Sequence, residues 1–511
     1  MRIPAELAAS ATAVAGLHEQ IEVRAPFTGE VVGSIPAGRA DDVDCAVAIA
    51  RGAQPAWAAL PAREKARIFL RFHDLLLARQ NAVLDLIQTE TGKARAHAFE
   101  EVLDTAVVSR YYARRAGKLL GPRRRRGALP LLTRTWEMRV PFGVVGVISP
   151  WNFPLTLGIT DAIAALLAGN STVLKPDPQT SFTALWAVSL LREAGLPPGV
   201  CCVVTGGGTT GQALVDRADF VMFTGSGQAG RRIAARCGER LIGCSIELGG
   251  KNPMIVLPDA DLDAAAECAV RACFAGAGQV CISIERIYAH QSIFTAFLER
   301  FADRTRAIRL GAALDYSMQV GSLTTAAQLE RVEEHVKDAI AHGALLVSGG
   351  GRRRDLGPLF FEPTILTGVD DRMKLFAEET FGPVVSVYPV ASEQEAIERA
   401  NATPYGLSAS ICTRDARKGA KLARAIRAGS VNINEGYSAA WASVDSPIGG
   451  MKESGLHPRH GAEGLLKFTQ SQTIAAQRWL PIAPSHGMTQ DFFARWMTRL
   501  VRILRHTPWL G

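Results

Sequence analysis

An α/β fold built on two successive parallel sheets is predicted by three features of the sequence. The chain has 511 residues, too many for one hydrophobic core, so two or three domains are expected. From Val144 to Cys237, apolar strands, glycine-rich turns and helices alternate as they do in a doubly wound sheet. A second alternation of the same kind runs from Met254 to Ile433.

The elements follow in order. Residues 20 to 36 carry strand patterning, with turns at Pro26 to Gly29 and Pro36 to Gly38. Ile68, Leu70, Phe72, Leu75, Leu76 and Ile87 then mark one long helical segment, ended near Gly92. Thr133 to Val140 alternates polar and apolar residues, and with the basic, turn-rich segment before it predicts a projecting hairpin over 122–142. The first α/β series takes its strands from Val144 to Ile148, Ser171 to Leu174, Val200 to Val204 and Phe220 to Phe223. The second takes Met254 to Leu257, Ile284 to Ala289, Ala344 to Val347, Val384 to Val390, Leu407 to Cys412 and Ser430 to Ile433, with helices between. Near the end, Phe492, Phe493, Trp496, Met497, Leu500, Val501 and Leu504 share one helical face, and arginines hold the rest. That basic amphipathic helix is expected to dock on its own or a partner subunit, with an anionic membrane surface as the alternative.

Composition narrows the function. Hydrophobic residues make up 48% and charged residues 21%, as in a soluble globular chain. The net charge of +8 is diluted over a long chain and partly gathered in short arginine clusters, which argues against nucleic acid. Nine cysteines without framework spacing point to a reducing cytosol. No CxxC occurs, and His457 and His460 are too weak a pair to suggest a metal site. The N-terminus lacks a secretory h-region, and no apolar run reaches transmembrane length.

Five stretches could carry chemistry. Cys281 follows a small-residue turn and precedes a strand, a way to hold a thiol nucleophile or, equally, a small buried side chain. A thiol of ordinary pKa, about 8.5, needs a base or a favourable field. Glu247, set in an apolar stretch, would have a raised pKa and could serve as that base. Asn152 stands at the end of a strand between Pro150 and Pro154, where open sheets place their sites, and could donate to an oxyanion. Gly225 to Gly230 is a glycine turn between a strand and a helix, suited to phosphate at a helix N-terminus. Lys175, directly after a strand, adds a cation for a ribose hydroxyl or a phosphate.

Together the motifs Pro150 to Pro154, Leu174 to Pro176, Phe223 to Ser226, Glu247 to Lys251, Gly278 to Cys281 and Glu379 to Pro383 resemble the aldehyde dehydrogenase superfamily, over about residues 20 to 475. The resemblance implies a Rossmann-type cofactor domain (1–121 and 143–250) and a second α/β catalytic domain (251–450). It also implies oligomerisation elements (122–142 and 470–490) and, beyond them, the C-terminal helix (491–511). It implies that Cys281 attacks an aldehyde, that Asn152 and the Cys281 amide hold the oxyanion, and that Glu247 activates the hydrolytic water. On the cofactor side it implies Trp151, Lys175, Gly225, Ser226, Leu248, Glu379 and Phe381. Pro178 stands where many NAD-preferring relatives have a glutamate, so NADP is expected, with NAD as the alternative. The stretches 249–256, 271–274, 281–288 and 464–467 resemble NADP-linked succinate-semialdehyde dehydrogenases of the actinobacterial type. That implies a small-molecule aldehyde substrate, a homodimer or homotetramer, and no metal. Arginines that grip a substrate carboxylate in better-known members are replaced here by Thr160 and Ala275. Arg286 or an arginine from elsewhere would have to substitute. Otherwise Leu155, Leu157, Tyr437 and Trp441 would line a pocket for a medium-chain or aromatic aldehyde. The intact Cys281, Glu247 and Asn152 argue against a non-catalytic member.

Overall fold

Two parallel sheets, each with its own apolar core, carry the molecule in a computed structural model that describes residues 3, 5–11, 18–129, 132–485 and 487–506. The first sheet has six strands in the order Gly455–Leu456, Gly243–Glu247, Phe220–Thr224, Val144–Ile148, Ser171–Lys175 and Cys201–Val203. All its pairings are parallel except that of Gly455–Leu456, which adds antiparallel to the edge at Glu247. The three central strands are buried at every residue because helices cover both faces, which is why they read as continuous apolar runs. The chain order reverses between Val144–Ile148 and Phe220–Thr224, so the segments leaving those strands, 149–153 and 225–226, open a crevice between them.

The second sheet orders Leu345–Ser348, Thr364–Thr367, Val384–Val390, Ile284–His290, Asn252–Val256, Ser408–Cys412 and Ser430–Ile433, antiparallel only at its first pair. Three strands of the two sheets escape the sequence pattern, Thr364–Thr367 and Gly455–Leu456 by their shortness and Gly243–Glu247 because Gly243, Cys244 and Ser245 carry no β-branched side chain. The single long helix expected through residue 92 is instead two, Ala62–Ala78 and Gln80–Thr91, broken at Arg79 (φ −110°, ψ 21°). Apolar periodicity passes through such a break unchanged, since both helices bury one face in the same core. The second helix does end at Gly92, whose φ of +75° and whose place 2.2 Å from Ser322 Oγ, measured from a built Cβ, both require glycine.

The expected hairpin gains a third strand. Arg123–Arg125 pairs with Thr133–Pro141, which pairs along its whole length with Thr469–Gln477. Residues 130 and 131 of the hairpin lie outside the described residues. The last helix, Gln490–Leu504, buries no residue, but Phe492, Phe493 and Trp496 face Leu129, Leu132 and Leu480 across an open groove. Residues 507–511 of the expected tail lie outside the described residues. Among the described residues, no helix is long and apolar enough to cross a membrane.

Candidate active site

The loop that presents Cys281 is held from every side. After the helix Leu262–Phe274 the chain makes a tight turn in which Gly276, Ala277 and Gly278 have φ of 57°, 55° and 71°. Three left-handed residues in a row are costly, of order 1–3 kcal/mol at the one that carries a Cβ, and persist only under strong external restraint. That restraint is present. The Gly276 N–H donates to His97 Nδ1 at 3.0 Å, and Gln279 Nε2 donates to Gly276 O at 3.1 Å. Gln279 Oε1 accepts from the Thr324 N–H, and Asn252 Nδ2 donates to the carbonyls of Cys281 and Ser283, both at 2.8 Å. A Cβ on Gly278 would lie 2.1 Å from Gly382 O, so this turn interlocks with the Glu379 to Pro383 segment. Burial and nearby Lys93 press His97 down to about 4, which keeps its ring neutral and Nδ1 an acceptor at pH 7.

Cys281 is partly exposed, and it lines two cavities at once. The larger, of about 220 Å³, is bounded by Trp151, Asn152, Gly225, Ser226, Leu248, Glu379 and Phe381, with Gln328 and Arg331. The smaller, of about 30 Å³, is bounded by Glu247, Leu157, Tyr437, Trp441 and Arg459 among others. Eight of the expected residues therefore meet around the first cavity, and Glu247 meets Cys281 in the second. Lys175 and Pro178 border neither. Lys175 is buried at the end of its strand, its stem 3.8 Å from a Cβ built on Gly211, and Pro178 opens a short helical turn capped by Asp177.

Each side chain has a structural cause for its position. Asn152 is buried, and its Nδ2 donates to Gln279 O at 3.0 Å, which fixes one amide hydrogen and leaves the other. From below, Lys93 Nζ donates to the Asn152 carbonyl (2.5 Å) and to Glu101 (2.7 Å), and packs 3.8 Å from the Phe153 ring centre. Glu101 in turn accepts from the N–H groups of Leu155 and Thr156, the first turn of the helix Pro154–Leu167. Neither Lys93 nor Glu101 carries a sequence signal, because their partners lie far along the chain.

Glu247 ends its strand with a buried carboxylate whose Oε1 has no hydrogen-bond partner. Burial lifts it to about 7, against the pull of Arg459 and Lys467. Burial, then the Glu247 charge, pushes the Cys281 thiol up to about 12, opposed by Arg459 and by its own backbone N–H. Glu379 accepts from the Gly250 N–H at 2.8 Å, and a Cβ on Gly249 would fall 2.1 Å from its Oε2. Burial and the charge of Glu285 raise Glu379 to about 8. Glu285, paired with Lys251 at 2.5 Å, accepts from the N–H groups of Thr380 and Phe381. Phe381 adopts φ of 56° and sets its ring at 90° to Trp151, 5.5 Å away. Ser226 caps the helix Gly227–Glu239, Gly227 faces open space, and a Cβ on Gly225 would strike the Phe223 ring at 2.6 Å. Bare backbone at Gly225 and Gly249, beside free amides at a helix N-terminus, is a surface fitted to a phosphate-bearing cofactor.

Two expectations are corrected. Leu155 points into the core of the first sheet and lines neither cavity, because Leu157, two residues on, takes the face toward Cys281. Arg286 spends its guanidinium on the carbonyls of Lys251, Arg399 and Ala400 and on the Tyr288 hydroxyl, so it cannot reach a substrate. His457 is exposed while His460 is buried against Trp441, which separates the one close histidine pair.

The comparisons with known proteins agree with this geometry. The model of the aldehyde dehydrogenase family matches residues 13–474. A protein of Mycolicibacterium smegmatis, provisionally named succinate-semialdehyde dehydrogenase (NADP(+)), is 50% identical over 94% of this chain and 93% of its own length. A Mycobacterium tuberculosis protein of the same provisional name is 48% identical over the same shares. Among solved structures, an NAD-dependent aldehyde dehydrogenase of Sinorhizobium meliloti superposes with a TM-score of 0.88 at 35% identity, covering 94% of this chain and 96% of that one. Betaine aldehyde dehydrogenase of Staphylococcus aureus, solved with NAD+, gives 0.87 at 31% identity over 91% and 94%. The chain belongs to the aldehyde dehydrogenase family, and its reaction is the oxidation of an aldehyde to an acid through a catalytic cysteine with hydride transfer to NAD(P).

Proposed function

We propose that Cys281, Glu247 and Asn152 carry this reaction, and that the aldehyde is succinate semialdehyde oxidised with NADP. The observation that carries the first part is the position of Cys281 at the junction of two cavities, one fitted to a phosphate-bearing cofactor and the other holding Glu247. Sγ of Cys281 attacks the aldehyde carbon, and its proton passes to the Glu247 carboxylate, the group in the shared cavity that titrates near neutrality. The carbonyl oxygen becomes an oxyanion, which the free Nδ2 hydrogen of Asn152 and the Cys281 N–H receive. Gly225, Ser226, Leu248 and Glu379, together with Trp151, Phe381, Lys175 and Pro178, would hold the cofactor, which would supply the hydride acceptor. The chain then holds an acyl group as a thioester on Sγ. Once the proton from Sγ has passed on to solvent, Glu247 takes a proton from water, and the resulting hydroxide adds to the acyl carbon. As the C–S bond breaks the proton returns from Glu247 to Sγ, releasing the thiol and a carboxylic acid that ionises.

The substrate reading is supported by the names of the most similar relatives and by the small volume beside Cys281. A carboxylate-free alternative, a medium-chain or aromatic aldehyde, is favoured by the apolar lining of Leu157, Tyr437 and Trp441. Preference for NADP is supported by Pro178, which leaves no carboxylate against a 2′-phosphate, although Asp177 sits near Lys175. The 1–121 and 143–250 segments would form the cofactor domain and 251–450 the catalytic one. A homodimer or homotetramer through 122–142 and 470–490 is supported by the exposed edge strand Thr469–Gln477, whose outer side is an unpaired template. The exposed apolar face of Gln490–Leu504 would dock on a subunit rather than a membrane, since it already faces Leu129 and Leu480. Nine cysteines, none of them in a disulfide, fit a reducing cytoplasm. The test is kcat/KM for succinate semialdehyde, hexanal and benzaldehyde with NADP and with NAD. Succinate semialdehyde with NADP is expected to rank first, and hexanal or benzaldehyde ahead of it would overturn the substrate reading.

A further inference from the structure

We infer that Arg459 is the residue that receives the carboxylate end of the substrate, so that this chain recognises a short aldehyde with a terminal carboxylate through a guanidinium supplied by its C-terminal segment. The inference rests on the substrate reading above and names its missing partner. Thr160 cannot fill that place, because its hydroxyl donates to Thr156 O at 2.7 Å, and Ala275 has nothing to donate. Arg286 is fully engaged elsewhere. Among the described residues lining the smaller cavity, Arg459 is the one cation. Leu157, Ile282, Leu407, Tyr437, Trp441 and Ile448 make most of the remaining wall apolar, and a carboxylate desolvated there without a charged partner would cost several kcal/mol.

The guanidinium is held but not used up. Its backbone is fixed by a two-way bridge to Ile448, at 2.9 and 2.6 Å. Nη2 donates to Thr224 Oγ1 at 2.5 Å and lies 2.8 Å from Asp161 Oδ2, close in distance but off a hydrogen-bonding axis. Nε is buried without any hydrogen-bond partner. Asp161 also serves a second cation, Lys467, at 3.3 Å, so one carboxylate is divided between two positive charges. Burial pushes Asp104 up to about 8, opposed by the charge of Arg459. A planar guanidinium whose Nε is unpartnered keeps a donor that a carboxylate can accept from. Leu157 and Asp161, four residues apart on the helix Pro154–Leu167, place the apolar wall and the anchor of the guanidinium on one face.

The test compares kcat/KM for succinate semialdehyde and for butanal, which has the same chain length without the charge, in the wild type, Arg459→Gln and Arg459→Lys. The succinate semialdehyde to butanal ratio is expected to fall about 10- to 100-fold in Arg459→Gln, the size of a lost charged hydrogen bond, mainly through KM. It is expected to fall less in Arg459→Lys. As a readout independent of turnover, succinate should slow alkylation of Cys281 in the wild type and fail to do so in Arg459→Gln. An unchanged ratio in both variants, with protection by succinate intact, overturns the role of Arg459 while the substrate reading stands. A wild-type ratio below one overturns the substrate reading itself. If the glutamine variant does not fold, the lysine variant, which keeps a cation beside Asp161, decides: a ratio equal to wild type sinks the proposal.

Discussion

The two cavities that meet at Cys281 are built in opposite ways. The wall of the larger one comes mainly from short pieces, 150–152, 224–226, 248–249 and 379–381, with Leu157, Gln328 and Arg331 added singly from helices. The wall of the smaller one is mostly single residues scattered along the chain, among them Leu157, Glu247, Leu407, Ser430, Tyr437 and Arg459. The difference separates two tasks. Cofactor and oxyanion need backbone and must be approached closely, which a local motif can guarantee. A substrate side chain is met by tertiary packing, which no local motif encodes.

Cys281 belongs to both walls, so removing it is the largest break. Cys281→Ala is expected to lower NAD(P)H formation by roughly 10⁴-fold or more and to abolish ester hydrolysis with it, since both use the thiol. Ester hydrolysis surviving in that variant would mean a second nucleophile.

Glu247 belongs to the smaller wall alone, and its loss should divide the reaction in time. Glu247→Gln is expected to keep a stoichiometric pre-steady-state burst of reduced cofactor, formed more slowly because the thiol must lose its proton to water. It is expected to turn over about 10²- to 10⁴-fold more slowly still, because the thioester waits for a base. Burial raises Glu247 to about 7, so it is largely protonated below that pH and a carboxylate above it. A base works deprotonated. Steady-state rate should therefore rise with pH through about 7 in the wild type, and that limb should be missing from Glu247→Gln. The same limb in both would assign it to another group.

The smallest of the three effects concerns what lies behind the larger wall. Lys93→Met strands the charge of Glu101 in the core and is expected to cost about 3–5 kcal/mol, read as a lower denaturation midpoint. Adding Glu101→Gln removes the stranded charge and should return part of that loss. A double variant no more stable than Lys93→Met would show that the lysine acts through packing on Phe153 instead.

This contrast also explains how far the sequence could be read. Strand, glycine turn and helix in series placed the sheets, because burial on both faces leaves an unbroken apolar run in each strand. Cys281, Glu247 and Asn152 were legible because each stands just before, at the end of or just after such a strand. Arg459 was not. It stands after Pro458 in a loop with no periodicity, and only the bridge to Ile448 and the ion pair to Asp161 turn it toward the cavity. Lys93 and His97 escaped for the same reason, since their partners Asn152 and Gly276 are met only after folding. The broken helix at Arg79 and the exchange of Leu155 for Leu157 show the finer limit. Periodicity gives the apolar face of a helix but not which turn of it reaches a cavity.

The antiparallel strand Gly455–Leu456 has a consequence for the growing chain. It closes the edge of the first sheet at Glu247, yet the entire second sheet is synthesised between the two. Until that return, Ile246 and Glu247 present an unpaired edge, and Leu248 lacks its bond to Ser454. A ribosome-bound or C-terminally truncated chain would carry its nucleophile and its base with an adhesive strand beside them, so aggregation rather than partial activity is the expected fate of any fragment that stops short of the last fifty residues or so.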